Sequence, residues 1–198
     1  MALTPNSCMA ALLDRDGVLI RDVHLLQFRD QIEILPRVID ALTRLAAAKL
    51  KLIVVTNQPV VARGLAAESA ITEIHRHLEA EIIAKGGPRI DAFYYCPHHP
   101  NATDSAYRMD CNCRKPRPGL LMAAAHDHDI DLRCSFMVGD RITDIIAGAK
   151  AGCRTVLVQT GAHLAPPIET TEPVDESCFP DHTCPDLDQA TKWILEVM

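Results

Sequence analysis

The sequence predicts an α/β fold built on a mostly parallel sheet covered on both faces. Three observations lead there. Short apolar runs alternate with helix-period patterns along the chain. The runs are nearly unbroken by polar residues, as strands buried on both faces are. The polar residues of interest, Asp14, Thr56, Cys96 and Asp140, all follow such runs, where ligands bind in sheets of this kind.

The elements follow in order. Met9 to Leu13 (MAALL) is the first apolar run and ends at Asp14. Val38, Leu42 and Leu45 recur at helical spacing, with Pro36 near the start, where its missing N–H does no harm. Leu50 to Thr56 (LKLIVVT) is β-branched and reads as a buried strand. Ile71, Ile74, Leu78 and Ile82 form one face of a second helix; Glu73, His75, Arg76 and Glu79 are assigned to its solvated face. Gly86-Gly87-Pro88 stops that helix. Ile90 to Tyr95 reads as a strand, Cys96 to Pro118 as a turn-rich loop, and Leu120 to His126 as a helix. Ser135 to Val138 is a strand, Ile142 to Ala151 a helix closed by Gly152, and Thr155 to Val158 a further strand. From Thr155 through Thr191 there is no Lys or Arg, and five prolines interrupt an acidic stretch. Residues at about 162–186 are therefore expected to form a surface loop, before a last helix near Leu187 to Val197 anchored by Trp193.

Length and composition bound the function. The 198 residues suit one domain, residues 1–198, large enough to fold without a staple. An apolar share of 48% and a charged share of 23% are those of a soluble globular chain. The net charge of −6 argues against a nucleic-acid partner. No run reaches the roughly 20 apolar residues a membrane span needs, and the amino-terminal segment lacks a basic region before its apolar run. The expectation is a cytoplasmic monomer without a membrane partner.

Two constellations carry chemistry. The first is Leu13-Asp14-Arg15-Asp16-Gly17, two carboxylates two residues apart at a strand end. Asp14 can attack phosphorus, and Asp16 can protonate the leaving oxygen and later activate water. Gly17 lets the chain turn sharply. Thr56-Asn57-Gln58 offers a hydroxyl and backbone N–H groups for phosphate oxygens, and Arg114-Lys115-Pro116 offers fixed positive charge. In Gly139-Asp140-Arg141-Ile142-Thr143-Asp144, Asp140 can join Asp14 in an oxygen site for Mg²⁺, with Asp144 supporting it one helical turn on. Together these point to phosphoryl transfer. A phospho-receiver module also uses an Asp, Mg²⁺, a Thr and a Lys, but has no need of Asp16.

The second constellation is Cys96-Pro97-His98 followed by Cys111-Asn112-Cys113. Eight cysteines could suggest disulfides, and Cys178–Cys184 is one conceivable pair. Clustering beside His98 favours metal in a reducing compartment. A Cys₃His set suits tetrahedral zinc with no open position, hence a structural ion clipping a loop that leads into Arg114-Lys115. His99 is an alternative fourth ligand.

LLDRDGVLI, VVTNQ, CRKPRPG and MVGDRITD resemble the four motifs of the haloacid-dehalogenase (HAD) superfamily of aspartate-nucleophile phosphatases, over about residues 9 to 160. The resemblance implies a Rossmann-like three-layer sandwich, with Asp14 as nucleophile and Asp16 as acid/base. It implies Mg²⁺ on Asp14, the Asp16 carbonyl and Asp140, with Thr56 and Lys115 stabilising the transferring group. CPHHP with CNCRKPRPG is similar to the zinc-containing members, which comprise heptose-bisphosphate and histidinol-phosphate phosphatases. Tyr94-Tyr95 before Cys96 and Ala62-Arg63-Gly64 lean to the heptose group. That resemblance implies a phosphorylated sugar substrate whose remote phosphate meets Arg114, with Asp22 to Leu25 facing the sugar. Asp22, His24, Asn57, Gln58 and Arg141 complete the expected substrate-binding set. Pro59-Val60-Val61 departs from the Ser-Gly-Ile usual in the group. The gaps after Asp16 and after the third strand are too short for a cap domain, so loops alone are expected to shape the pocket.

Overall fold

The structure is a computed structural model that describes residues 8–163 and 178–198. Its six strands form one parallel sheet in the order β3-β2-β1-β4-β5-β6. They are β1 (Ala10–Leu13), β2 (Lys51–Asn57), β3 (Ala92–Cys96), β4 (Phe136–Gly139), β5 (Arg154–Val158) and β6 (His182–Cys184). The helices are α1 (Val38–Ala47), α2 (Pro59–Ala62), α3 (Glu68–Ala84), α4 (Gly119–His128), α5 (Ile142–Ala151) and α6 (Leu187–Val197).

Strand alternation sorts the core into two layers. Ala11 and Leu13 of β1, Leu52 and Val54 of β2 and Phe136 and Val138 of β4 face the helices that supply Leu42, Leu78 and Ile194. Ala10 and Leu12, Ile53 and Val55, and Met137 face the opposite way, onto Leu120, Leu121, Ala124 and Ala147. Both sheet faces are thus covered, which is why these strands read as continuous apolar runs. The three-layer arrangement agrees with the sequence prediction, with element ends displaced by one or two residues.

The strand order fixes the site. β1 pairs with β2 on one side and β4 on the other, so the order reverses at β1. Leu13 lies opposite Val138, and the Asp14 amide donates to the Val138 carbonyl at 2.9 Å. Asp14 and Asp140 therefore leave the same sheet edge side by side, at the switch point where such sheets bind ligands. Among the described residues no cap domain intervenes. Residues 14–37 run through turns and one short 3₁₀ turn (Arg29–Gln31) before α1, and residues 97–118 between β3 and α4 hold no helix or strand.

One detail differs from the sequence reading. The stretch at 162–186 is not loop throughout: β6 pairs with β5, Val156 opposite His182. The Asp181 carboxylate starts that pairing by accepting from the Thr155 amide (2.7 Å) and hydroxyl (2.9 Å). Three residues are too few to show a period. Residues 164–177, the rest of that loop, lie outside the described residues. Cys178 and Cys184 are both thiols. Trp193 does anchor α6, stacked on His182 with ring centres 4.9 Å apart and edge-on to Phe136.

Candidate active site

The loop after β1 begins with a buried carboxylate. Asp14 Oδ1 accepts from the Arg15 amide at 2.8 Å and lies 3.1 Å from Lys115 Nζ. Lys115 is 2% exposed and its ammonium is fully engaged: it donates to the Val55 carbonyl (2.8 Å) and lies 2.6 Å from Asp144 Oδ1. Burial works against that charge, but Asp14 and Asp144 outweigh it, and the lysine pKa is raised. Asn57 clamps the Lys115 backbone from both sides, its Oδ1 accepting from Lys115 N and its Nδ2 donating to Lys115 O, each at 3.1 Å.

Asp140 leaves β4 beside this group. Its Oδ2 accepts from the Ala162 amide at 2.6 Å, while Oδ1 is buried with no hydrogen-bond partner among the described residues. Ligand oxygens of Asp14, Asp140 and Asp144 all lie within 4.8 Å of one another. Three carboxylates thus gather beside Lys115, whose ammonium pairs with two of them. Burial pushes Asp14 up to about 6, with Asp144 and Asp16 adding to the shift and Lys115 opposing it. Burial likewise pushes Asp140 up to about 8, with Asp14 and Asp144 adding. A carboxylate cluster with that deficit of positive charge, hard oxygen donors and an orphaned buried oxygen fits Mg²⁺. Gly17 makes room for it. Its φ is +80°, and a Cβ there would collide with the Asp140 carboxylate.

Asp16 is held from behind. Its Oδ1 and Oδ2 accept from Arg15 NH2 at 3.1 and 2.9 Å, and Oδ2 also accepts from Gln58 Nε2 at 2.9 Å. Gln58 Nε2 donates to the Thr56 hydroxyl at 2.9 Å, and Gln58 Oε1 accepts from Arg15 at 2.8 Å. On the open side, Arg141 pairs with Asp22 at 3.1 Å, and Asp22 Oδ1 accepts from the His24 amide at 2.7 Å. His24 and Leu25 both have positive φ, +64° and +61°. These residues line one pocket with Asp14, Asp16, Thr56, Val60, Arg63 and Arg114.

The 97–118 loop is drawn together by sulfur. Cys113 Sγ lies 3.2 Å from Cys96 Sγ, 3.1 Å from Cys111 Sγ and 3.3 Å from His98 Nδ1. Zinc–sulfur bonds of about 2.3 Å imply tetrahedral S···S edges of about 3.8 Å, so a small shift admits the ion. Hydrogen bonds from Cys96 and Cys111 and proximity to His98 pull Cys113 down to about 5, against burial, while its hydrogen bond to Cys113 and burial push Cys96 up. His98 is the fourth member; His99 Nδ1 instead accepts from the Asn101 amide at 3.1 Å. The loop carries its geometry into the pocket, because Arg114 NH1 donates to the His98 carbonyl at 3.1 Å.

Comparison with known proteins agrees with this architecture. A family model described as HAD-hydrolase-like matches residues 112–190. The D-glycero-beta-D-manno-heptose-1,7-bisphosphate 7-phosphatase of Photorhabdus laumondii is 39% identical over 154 residues, covering 77% of this chain and 81% of that protein. The enzyme of the same name from Escherichia coli K12 is 38% identical over 165 residues, 83% and 86% of the two chains. The chain belongs to this heptose-bisphosphate phosphatase family of HAD-like hydrolases. Solved relatives carry the same fold. The D,D-heptose 1,7-bisphosphate phosphatase of B. bronchiseptica, complexed with magnesium and phosphate, has a TM-score of 0.78 at 33% identity and covers 96% of this chain and 100% of its own. The corresponding Burkholderia thailandensis structure has a TM-score of 0.66 at 26% identity, covering 94% and 98%.

Every residue the family motifs single out lies at this site or in the sulfur cluster. Lys115 divides its protons among Asp14, Asp144 and the Val55 carbonyl, and Arg141 is paired to Asp22. One assignment is corrected: His75 is not on a solvated face but 5% exposed, its ring stacked on Phe93 at 4.7 Å. It follows Ile71 by four and precedes Leu78 by three, so helical spacing already set it on the apolar stripe. Arg15, outside the expected set of site residues, joins this polar cluster. It lies two positions beyond Leu13 and so continues the inward face of β1, where it is fully buried. Arg63 and Thr143 also line the pocket.

Proposed function

We propose that this chain is a Mg²⁺-dependent phosphomonoesterase that removes the 7-phosphate of D-glycero-β-D-manno-heptose 1,7-bisphosphate. The observation that carries the proposal is the convergence of Asp14, Asp144 and Lys115, with Asp140 beside them, on the floor of a pocket whose wall bears two further guanidinium groups, Arg63 and Arg114. The floor suits one phosphate and the wall a second. The relatives bearing this substrate's name support the choice of sugar.

Asp14 Oδ1 is held by the Arg15 amide and Lys115, which leaves Oδ2 to attack phosphorus. The bond from phosphorus to the sugar oxygen breaks as that oxygen takes a proton from Asp16, and Asp14 carries the phosphoryl group as an acyl phosphate. Asp16 then accepts a proton from water as the water attacks the same phosphorus, which frees Asp14. Asp14, Asp140 and the Asp16 carbonyl would hold Mg²⁺, which would supply positive charge to offset that of the transferring phosphoryl group. Thr56 and the neighbouring backbone orient the phosphoryl oxygens, and Lys115 keeps Asp14 ionised rather than touching the phosphate itself. Asp22, His24 and Arg141 form the rim that meets the sugar. Cys96, His98, Cys111 and Cys113 would hold Zn²⁺, which would fix the loop that aims Arg114.

A phosphate-release panel tests this reading. It compares both anomers of the heptose bisphosphate, fructose 1,6-bisphosphate and histidinol phosphate on wild type and Arg114→Ala. The β anomer should turn over fastest, and the substitution should reduce turnover of a bisphosphate at least about tenfold more than that of a monophosphate. Equal losses on both, or a preference for histidinol phosphate, would remove the heptose assignment.

A further inference from the structure

Behind Asp16 lies a buried chain of polar groups that the proposed chemistry does not use. Arg15 has 0% exposure, an unusual place for a guanidinium. Its NH2 holds both oxygens of Asp16 and the amide oxygen of Gln58. Its NH1 lies 3.2 Å from His75 Nε2. Arg15 can only donate, so Nε2 must accept and the imidazole must be neutral with its proton on Nδ1. Burial and the neighbouring guanidinium both favour that form, and they push His75 down to about 3. The ring cannot swing away, because Phe93 stacks on one face at 4.7 Å and Tyr95 meets it edge-on at 5.8 Å.

We infer that Arg15 and His75 are positioning residues for proton transfer at Asp16: α3 holds the imidazole, the imidazole holds the guanidinium, and the guanidinium holds the carboxylate. The inference rests on the acid/base reading of Asp16. A carboxylate on a turn has free rotation about two bonds. Here both oxygens are tethered from the protein side, and the side chain keeps 22% exposure toward the pocket. Gln58 adds a second tether and links Asp16 to Thr56. Neither Arg15 nor His75 lines the pocket, so their effect on turnover must pass through Asp16.

The test separates this role from simple loss of structure. His75→Phe keeps an aromatic ring against Phe93 and removes the acceptor, whereas His75→Gln can restore an acceptor. With the heptose bisphosphate, whose leaving alkoxide needs a proton, His75→Phe should lower kcat about 10- to 100-fold and leave KM within about twofold. Single-turnover transfer from p-nitrophenyl phosphate, whose leaving group departs without a proton, should change by less than about threefold. His75→Gln should recover most of the lost kcat. Equal losses with both substrates, or wild-type turnover in His75→Phe, would overturn the inference while leaving the acid/base role of Asp16 intact if Asp16→Asn is still inactive. Wild-type turnover in Asp16→Asn would overturn both. A measurement on the unaltered protein covers a variant that does not fold. Imidazole ¹⁵N shifts at pH 7 should show neutral His75 protonated on Nδ1; an imidazolium, or a proton on Nε2, would contradict the arrangement.

Discussion

The segment after β5 crosses directly over the acidic cluster, and Gly161→Ala tests how tightly it does so. The Ala162 amide donates to Asp140 Oδ2, and the Thr160 hydroxyl donates to the Gly17 carbonyl at 2.5 Å. A Cβ on Gly161 would stand 2.8 Å from Gly17 Cα and closer still to Asp140 Oδ2. Neither neighbour is the end of a flexible side chain: one is backbone and the other a proposed metal ligand. Something must move, and the Ala162–Asp140 hydrogen bond is the contact that separates. Losing a hydrogen bond to a charged group costs about 1.5–3 kcal/mol, and overpacking adds about 1–3 kcal/mol. Since the strap and its neighbours can relax in part, a net loss of about 2–4 kcal/mol is expected, or roughly 5–15 °C in Tm for a chain of this size. Misaligning Asp140 should also weaken the metal site about 10- to 100-fold. The assay is phosphate release titrated with Mg²⁺ beside a thermal melt. The half-saturating Mg²⁺ concentration should rise by that factor, with kcat largely regained at high Mg²⁺. Unchanged Mg²⁺ dependence together with unchanged Tm would refute the claim that this strap holds Asp140.

The buried imidazole gives a signed pH prediction. Folding holds His75 near 3, against about 6.5 in the unfolded chain, so between these values the unfolded state binds the extra proton. Its contribution is fully present above about pH 6.5 and is lost as pH falls toward 3, on the order of 4 kcal/mol across the window. Urea melts should show wild type losing more stability than His75→Phe over that range; parallel pH profiles would contradict a neutral His75. The sulfur cluster should hold one zinc per chain by elemental analysis. Cys113→Ser should release it, lower Tm by more than about 5 °C and depress turnover, since Arg114 hangs on the His98 carbonyl. Retained zinc with unchanged activity would exclude Cys113 as a ligand.

The sheet was legible because both its faces are buried, so β1, β2 and β4 appear as unbroken apolar runs. The placement of Asp14 and Asp140 needed more than spacing. They are 126 positions apart and meet only because β1 pairs with β4, which the motif resemblance supplied and local patterning could not. β6 escaped notice because its pairing depends on the Asp181–Thr155 contact, a tertiary event with no local period. Arg15 and His75 were visible in principle. One continues the inward parity of β1 and the other the stripe of α3. Both are polar types that usually sit outside, so residue type and position point in opposite directions. The bridging partners of Lys115 were not legible, since a lysine beside a phosphate-transfer motif gives no sign of which oxygens its three protons will reach.

The nucleophile can be identified chemically. Asp16→Asn should slow hydrolysis of the acyl phosphate, so the variant should accumulate it when mixed with Mg²⁺ and p-nitrophenyl phosphate, whose leaving group departs without a proton. Acid quenching, borohydride reduction and peptide mass spectrometry then read where the phosphoryl group sat. Conversion confined to Asp14 is the expected result. Reduction at another carboxylate, or steady turnover in a chain whose Asp14 has been changed to Asn, would contradict the account at its root.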